Sequence, residues 1–225
     1  MKIQYLGHSC FLIDINGTSI LVDPFISGNS LASHIDISTL KVDFILVTHA
    51  HQDHVLDVEL IAERTKAVVV SNYEIAMYYG AKDLNVFALN HGGTFVSENF
   101  SAKYVNAIHT SSFADGTYGG EPGGFVISSK EKNVYIAGDT AVTMDMKLIP
   151  MSVKLDVVIL PIGDTFTMGV DDAIIASNLV ECNKVIGCHY NTFPPIEIDV
   201  NEAKTKFNSK NKELVLLEIG ENLSI

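Results

Sequence analysis

The sequence predicts an α/β protein built as a four-layer α/β/β/α sandwich, with two mixed sheets packed face to face and helices on the outside. Short apolar, β-branched segments bounded by turn residues recur along all 225 residues, as expected for strands. Segments with helical periodicity alternate with these strands in the first and last thirds. The middle third contains closely spaced strands without a helix between them, which indicates antiparallel pairing.

The chain begins with a predicted meander of three strands at residues 3–6, 11–15 and 19–22. Asn16-Gly17 separates the second strand from the third, and this dipeptide is the strongest short signal for a hairpin. From residue 43 the pattern changes to alternation of strands and helices. The predicted elements there are strand 44–47, helix 55–64, strand 67–70, helix 74–79 and strand 86–89.

The middle of the chain returns to strands, and its last third repeats the alternation. Three strands are predicted close together, at residues 101–108, 124–128 and 133–137. The predicted elements that follow are strand 157–160, helix 171–180, strand 184–188, helix 200–207 and strand 213–217. Because no linker, low-complexity segment or charge block interrupts the chain, we expect one domain over residues 1–225.

Composition limits the partners and the compartment. Fifteen basic residues against 27 acidic ones leave a formal charge of −12, and only Arg64 is an arginine, so a nucleic-acid-binding surface is not expected. The acidity is explained by a solvated exterior, or in part by carboxylates that bind cations. The three cysteines have no Cys-x-x-Cys spacing and cannot all pair, which favours a reducing compartment. Without a secretory or membrane-spanning segment, we expect a cytoplasmic protein with no membrane partner.

Four side chains able to bind metals follow the predicted strand 44–47 directly. The segment reads Thr48-His49-Ala50-His51-Gln52-Asp53-His54. Burying so many polar groups in one loop without a cation would carry a large desolvation cost. In an extended loop, the side chains of His49 and His51 point the same way. Asp53 and His54 follow where the chain turns into a helix, so their side chains can reach a second position nearby. A metal-binding loop is therefore predicted here.

Three more donor residues stand at the ends of predicted strands. His109, Asp139 and His189 each follow an apolar segment. Donors at strand ends are expected to converge on one edge of the sandwich. Together with the loop they make two sets of nitrogen and oxygen donors suited to zinc, manganese or iron.

The sequence resembles the metallo-β-lactamase superfamily of metal-dependent hydrolases over residues 1 to about 220. The resemblance is carried by the motif His-x-His-x-Asp-His, followed in order by a later His, Gly-Asp-Thr and a last His. The resemblance implies the four-layer fold and two divalent ions. It implies a first metal site at His49, His51 and His109, and a second at Asp53, His54 and His189. It also implies that Asp139 bridges the ions. Zinc is expected, with manganese or iron as alternatives.

Further motifs narrow the branch of that superfamily. The segments are Gly7-His8-Ser9-Cys10, Val22-Asp23-Pro24-Phe25, Asn90-His91-Gly92-Gly93, residues 161–169 and residues 189–194. They resemble the small metal-dependent hydrolases related to L-ascorbate 6-phosphate lactonase. The resemblance implies a small-molecule substrate but does not name it, and homo-oligomer formation stays open.

A second Gly-Asp-Thr segment gives the bridging position an alternative. Asp139 and Asp164 both follow strands and both lie between His109 and His189. The superfamily pattern favours Asp139, and a pocket role suits Asp164 in its Pro-Ile-Gly-Asp loop.

Five other polar residues carry smaller hypotheses. His8 is either a structural residue or one that lies over the metals and bonds to the substrate. Asp23 and Thr48 either hold ligand imidazoles through hydrogen bonds or cap turns. His91 is predicted at a turn or pocket rim, and a solvated position is expected for His34.

The resulting hypothesis is a hydrolase in which two divalent ions generate a hydroxide that attacks a small carbonyl, lactone or ester substrate. Asp53 would orient the hydroxide and relay its proton, and His8 would stabilise developing negative charge. One alternative is a phosphodiesterase or nuclease at the same site, which the single arginine disfavours. Another is a non-hydrolytic metal-binding or redox module.

Overall fold

The computed structural model describes residues 1–225 as two seven-stranded sheets packed face to face, with helices on both outer faces. The predicted four-layer α/β/β/α architecture is confirmed. One core of 23 buried residues fills the space between the sheets. A core of 18 residues lies between the first sheet and its helices, and one of 19 lies between the second sheet and its helices.

The first sheet has the order β14-β1-β2-β3-β4-β5-β6. Pairing is antiparallel from β14 to β3 and parallel from β3 to β6. Its strands are β1 (Lys2–Gly7), β2 (Cys10–Ile15), β3 (Thr18–Val22), β4 (Phe44–Leu46), β5 (Val68–Asn72), β6 (Val86–Leu89) and β14 (Asn222–Ser224). The predicted hairpin is present, and both Asn16 and Gly17 have the positive φ that a type I′ turn requires.

The second sheet has the order β13-β12-β11-β10-β9-β8-β7 and repeats the same mixed pattern. Pairing is parallel from β13 to β10 and antiparallel from β10 to β7. Its strands are β7 (Thr94–Val96), β8 (Ser101–Asn106), β9 (Gly123–Ser128), β10 (Asn133–Ile136), β11 (Val157–Pro161), β12 (Lys184–Cys188) and β13 (Glu213–Val215).

The helices lie on the outer faces. Their bounds are α1 (Gln52–Val55), α2 (Val58–Thr65), α3 (Tyr73–Gly80), α4 (Val170–Leu179) and α5 (Val200–Ser209). Buried residues of α2 and α3 pack on the first sheet, and those of α4 and α5 pack on the second. The longest helices have ten residues, and none is long and apolar enough to cross a membrane.

Three sequence-based element predictions were wrong in detail. The helix expected at 55–64 begins only at Val58, and the short helix α1 precedes it; Asp57 stands between the two, and its carboxylate accepts the backbone N–H groups of Ile26 and Ser27. The strand expected at 101–108 ends at Asn106. The three-residue strands β7 and β14 were missed because so short a segment shows no periodicity.

The topology brings four strand ends to one edge of the sandwich. Strands β8 and β10 are both antiparallel to β9, so they run in the same direction and end at the same edge. Strand β12 is parallel to β10 through β11. The chain segments that follow β4, β8, β10 and β12 carry the predicted metal donors.

Candidate metal centre

The loop that follows β4 presents its polar side chains in two directions. His51 has extended backbone, and α1 begins at Gln52 directly afterwards. The helix places Asp53 in its first turn and His54 in its last turn. Ser111 secures the loop because its hydroxyl accepts the backbone N–H of Ala50 at 3.1 Å.

The donor atoms gather into compact groups. His49, His51 and His109 form one set, which we name the trihistidine group. Asp53, His54 and His189 lie together in a second set, which we name the acidic group, and His8 adjoins it. Within each set the ligand atoms lie within 4.8 Å of one another. The structure therefore brings together all seven residues predicted as ligands, Asp139 included.

Asp139 lies between the two groups. One carboxylate oxygen, Oδ2, is 3.9 Å from His49 Nε2, 3.6 Å from His109 Nε2 and 3.0 Å from His189 Nε2. The other oxygen, Oδ1, is 3.4 Å from His54 Nε2. The side chain is only 3% exposed. A single carboxylate thus faces donors of both groups.

Glycine is required immediately before this carboxylate. Gly138 has φ +65°, and a Cβ there would come within 2.8 Å of the Gly123 carbonyl oxygen and 2.9 Å of Thr48. The second Gly-Asp-Thr segment is different, because Asp164 lies outside every donor group and its carboxylate accepts the backbone N–H of Thr165.

Asp23 controls the proton positions on two imidazoles. Its carboxylate accepts the backbone N–H and the hydroxyl of Thr48, at 2.8 and 2.7 Å. Because the Thr48 hydroxyl proton is used in this way, its oxygen accepts from His49 Nδ1 at 3.0 Å. Asp23 also accepts from His54 Nδ1 at 2.9 Å. Both imidazoles therefore carry a proton on Nδ1, so Nε2 is the nitrogen that can ligate a cation, in His54 once its second proton has left.

The imidazole nitrogens of the trihistidine group converge on one point. His49 Nε2 and His51 Nδ1 are 3.1 Å apart. Ligands on a tetrahedral zinc with Zn–N bonds of about 2.05 Å stand about 3.3 Å from each other. The second nitrogen of His51 is 3.3 Å from the Thr110 hydroxyl. This spacing fits a shared cation.

Buried polar atoms without partners mark the same centre. His54 Nε2, Asp139 Oδ1 and His189 Nδ1 are all buried without a hydrogen bond. Leaving such atoms unpaired costs about 1–3 kcal/mol each, and more when the group is charged. Two of the three face each other across the gap between the donor groups. The residues present therefore fit divalent cations.

The electrostatics of the two groups differ. Burial lowers the pKa values of His49, His51 and His109, so these imidazoles are neutral, as ligands must be. Burial also opposes the charged form of His54, but Asp139, Asp23 and Asp53 outweigh it and raise its pKa well above the usual value.

His189 and Asp53 show the same coupling within the acidic group. Burial disfavours the charged form of His189, but Asp139 and Asp53 outweigh it and raise its pKa to about 9. For Asp53, burial raises the pKa, and the stronger opposing effect of His54, His189 and His8 takes it well below its usual range. The negative charge of these carboxylates is therefore balanced either by protons on the imidazoles or by metal ions.

His8 is fully enclosed beside the acidic group. Its Nε2 is 3.0 Å from Asp53 Oδ2, its Nδ1 is 3.0 Å from the Thr192 hydroxyl, and only 1% of the residue is exposed. Both ring nitrogens therefore already have partners within the protein. Phe25 and Phe193 enclose the ring, with centroids 5.6 and 5.4 Å away.

Three polar residues at the centre have strained backbones. His8, Asp23 and His189 have φ values of 56°, 44° and 52°. Such conformations cost about 1–3 kcal/mol each and persist where the surroundings hold them. The backbone N–H of His189 donates to the His8 carbonyl at 3.0 Å, which ties two of them together.

The structure also places the other polar residues that the sequence analysis singled out, and it adds two threonines. His91 lies at a turn, donates to the Pro122 carbonyl and lines a cavity, as predicted. His34 is exposed, also as predicted. The contacts of Thr110 and Thr192 with site histidines were missed. Nothing in the sequence separates these two hydroxyls from other loop threonines, since Thr192 is 184 residues away from His8.

Comparisons with known proteins agree with this geometry. The β-lactamase superfamily domain matches residues 2–189. A UPF0173 metal-dependent hydrolase of Christiangramia forsetii is 60% identical over 226 residues, covering all of both chains. One from Thermus thermophilus is 44% identical over 228 residues, covering 100% of this chain and 99% of its own.

A solved structure also matches along the whole chain. It is a metallo hydrolase from the hyperthermophilic archaeon Ignicoccus hospitalis, with a TM-score of 0.90 and 34% identity. The match covers 99% of this chain and 97% of the other. The relation to L-ascorbate 6-phosphate lactonase stays a prediction. The chain belongs to the β-lactamase superfamily domain family and, within it, to the UPF0173 metal-dependent hydrolases.

Proposed function

We propose that this protein hydrolyses a small carbonyl, lactone or ester substrate at a centre of two divalent metal ions. The trihistidine group would hold one ion, the acidic group would hold the other, and Asp139 would bridge them. The position of Asp139, within 3.9 Å of imidazole nitrogens from both groups, is the observation that carries the proposal. Zinc suits the nitrogen and oxygen donors best, with manganese or iron as alternatives.

The chain's own residues divide the remaining work. When bound, the ions supply an activated water at neutral pH and polarise a substrate oxygen. The Asp53 side chain is 31% exposed, so its carboxylate can accept a hydrogen bond from the attacking water, orient it and relay its proton to the leaving group. His8 holds the Asp53 carboxylate in position. Because His8 is enclosed, we assign it this positioning role in place of the direct contact with substrate that the sequence suggested.

The surroundings of the centre favour an uncharged substrate over a polyanion. The basic residues Lys132, Lys154, Lys184 and Lys212 stand at or just before the first residues of β10, β11, β12 and β13, and the metal donors follow the opposite strand ends. Exposed apolar side chains lie close to the donors instead. Phe193 is packed beside His8, and Ile108 precedes His109 and is 52% exposed. This distribution supports the carbonyl, lactone or ester class over phosphodiesters or nucleic acid.

The compartment proposed is the cytoplasm. Cys10, Cys182 and Cys188 are all buried and unpaired. Burial raises the pKa values of Cys10 and Cys188, so both thiols stay protonated. Inert, unpaired thiols support a reducing environment.

Hydrolysis assays on matched substrate panels test the function. Protein with measured zinc content is assayed on short lactones and aryl esters, on a thioester and on a phosphodiester, beside the Asp139→Ala variant. The expected result is turnover of the lactone or ester panel that the variant loses. Faster turnover of the phosphodiester, or flat rates on every panel with two ions bound, would contradict the proposal.

A further inference from the structure

The three imidazoles of the trihistidine group come from two segments that lie far apart in the chain. His49 and His51 flank Ala50 in the segment after β4, whereas His109 lies in the segment after β8. Ser111 stands just after His109 and is 61 residues away from Ala50 in sequence. The geometry of the group therefore depends on the contacts that hold these two segments together.

Ser111 joins the two segments directly. Its buried hydroxyl accepts the backbone N–H of Ala50 at 3.1 Å and donates to the Gly119 carbonyl at 2.8 Å. Ala50 is fully buried, and its N–H has no other hydrogen-bond partner within the protein. Loss of the hydroxyl would leave that N–H unpaired, so the backbone between His49 and His51 is expected to shift towards water or another acceptor.

A short hairpin that begins at Ser111 and ends at Gly119 fixes this hydroxyl. The Gly119 N–H donates to the Ser111 carbonyl at 3.1 Å. Asn72, at the N-terminus of α3, donates to the Gly119 carbonyl at 2.8 Å, and the Phe113 ring stacks on Tyr78 of α3 with centroids 3.7 Å apart. The hairpin is thereby anchored to α3, which packs on the first sheet.

The hairpin also packs closely against the metal-binding segment. A Cβ at Gly119 would lie 2.3 Å from Ala50 Cβ and 2.6 Å from Ser111 Oγ, so a glycine is needed at this contact. The separation of the two segments is therefore set by close packing as well as by the hydrogen bond of Ser111.

Thr110 makes a second link, to a proposed ligand itself. His51 Nδ1 faces His49 Nε2 at 3.1 Å, which makes Nδ1 the nitrogen that would bind the shared ion. The proton of neutral His51 then stands on Nε2 and donates to the Thr110 hydroxyl at 3.3 Å. Partners at the second nitrogen orient ligand imidazoles in many metal sites.

We propose that Thr110 and Ser111 are positioning residues for the ion of the trihistidine group. Thr110 orients the His51 ring, and Ser111 holds the backbone between His49 and His51 against the segment that carries His109. The inference rests on the function proposed above, because it requires an ion in this group. Loss of either hydroxyl should weaken the binding of that ion and leave the ion of the acidic group in place.

The Ser111→Ala variant tests the backbone contact. Ser177→Ala is the matched control, because Ser177 is also buried but its hydroxyl donates to the Ile174 carbonyl within α4. Chelator competition on the cobalt-loaded protein measures both affinities, with His51→Ala and His54→Ala supplying the reference spectra of the two positions. We expect the trihistidine ion to bind about 10- to 100-fold more weakly in Ser111→Ala, and both ions to bind normally in the control.

Hydrogen exchange reports on the same contact without any metal titration. The Ala50 amide should exchange faster in Ser111→Ala than in the parent, because its only acceptor has been removed. Ser177→Ala should leave the exchange rate of this amide unchanged.

A pair of Thr110 variants tests the second contact and does not depend on the folding of Ser111→Ala. Thr110 is exposed, so its substitution does not disturb the core. Thr110→Val removes the hydroxyl at constant shape and should weaken the trihistidine ion about two- to tenfold. Thr110→Ser keeps the hydroxyl and should bind the ion as tightly as the parent does.

Unchanged affinity of the trihistidine ion in Ser111→Ala or in Thr110→Val would overturn the role of that residue. Equal weakening of both ions would also overturn it, because it would show a general structural effect. A parent protein that binds no ion in the trihistidine group would overturn the proposed function, and this inference with it.

Discussion

The two halves of the candidate centre, the trihistidine group and the acidic group, differ in charge and in burial. The trihistidine group consists of neutral imidazoles, two of which are half-buried, so an ion there would meet solvent and substrate. The acidic group lies among the carboxylates Asp23, Asp53 and Asp139, and His54 and His189 in it are buried. The difference indicates one position suited to polarising a substrate and another suited to holding positive charge.

Removing the carboxylate shared by both halves should have the largest effect. In Asp139→Ala we expect metal content to fall from two ions per chain to one or none, and hydrolysis to fall by more than about 100-fold. Elemental analysis and kcat/KM measure this. Asp164→Ala is the matched control from the second Gly-Asp-Thr segment. Loss of an ion in the control alone would reverse the assignment.

Single-donor variants should separate the halves. His51→Ala is expected to lose the ion of the trihistidine group and keep the other, whereas His54→Ala should do the opposite. Each variant should therefore bind one ion per chain instead of two, because three donors define each position. Metal titration with spectroscopically active cobalt distinguishes the two remaining sites. Identical cobalt spectra in both variants would mean that the halves are not separate sites.

Asp23 supports both halves without being a proposed ligand. Asp23→Asn should weaken metal affinity about 10- to 100-fold, because the amide no longer orients His54 and Thr48 as a carboxylate does. Competition with a chelator measures the change. Asp36→Asn is a suitable control, since Asp36 also accepts hydrogen bonds but is exposed. Equal metal affinities in the two variants would show that Asp23 does not support metal binding.

Proton release on metal binding should also differ between the halves. The raised pKa values of His54 and His189, the latter about 9, mean that both carry protons at pH 7 before a metal binds. Ligation requires the neutral imidazole, so filling the acidic group should release about one to two protons, and its affinity should rise with pH. The trihistidine group should release none. Calorimetry in buffers of different ionisation enthalpy measures the number, and a pH-independent affinity in His51→Ala would contradict it.

The smallest predicted effect concerns the hydroxyl that supports His8. Thr192→Val removes the hydrogen bond to Nδ1 and should lower kcat about two- to tenfold through a less ordered Asp53, with both ions retained. Thr205→Val on α5 is the control, since its hydroxyl bonds only within that helix. An unchanged kcat in Thr192→Val would limit His8 to a structural role.

The donors themselves were predictable because they follow strand ends. The apolar segments before His49, His109 and His189 predict strands. His109 and His189 follow strands of the second sheet that run in the same direction and so end at a common edge, and His49 follows β4 of the sheet packed against it. The longer helices and the hairpin were predictable for the same local reason, since periodicity and turn chemistry act over a few residues.

Long-range hydrogen bonds could not be read in the same way. The Asp23–His54 contact spans 31 residues and the His8–Thr192 contact spans 184. Likewise, Asp57, which stands between α1 and α2, accepts from backbone donors at Ile26 and Ser27, far from it in the chain. Such features depend on tertiary packing, which a local pattern does not encode.

Diffraction from crystals of the purified, unchelated protein, with anomalous data at the zinc, manganese and iron edges, tests the central claim most directly. We expect two anomalous peaks about 3.5–4 Å apart, one within the trihistidine group and one within the acidic group, with Asp139 bound to both. A single peak, no peak, or two peaks without Asp139 between them would contradict the account.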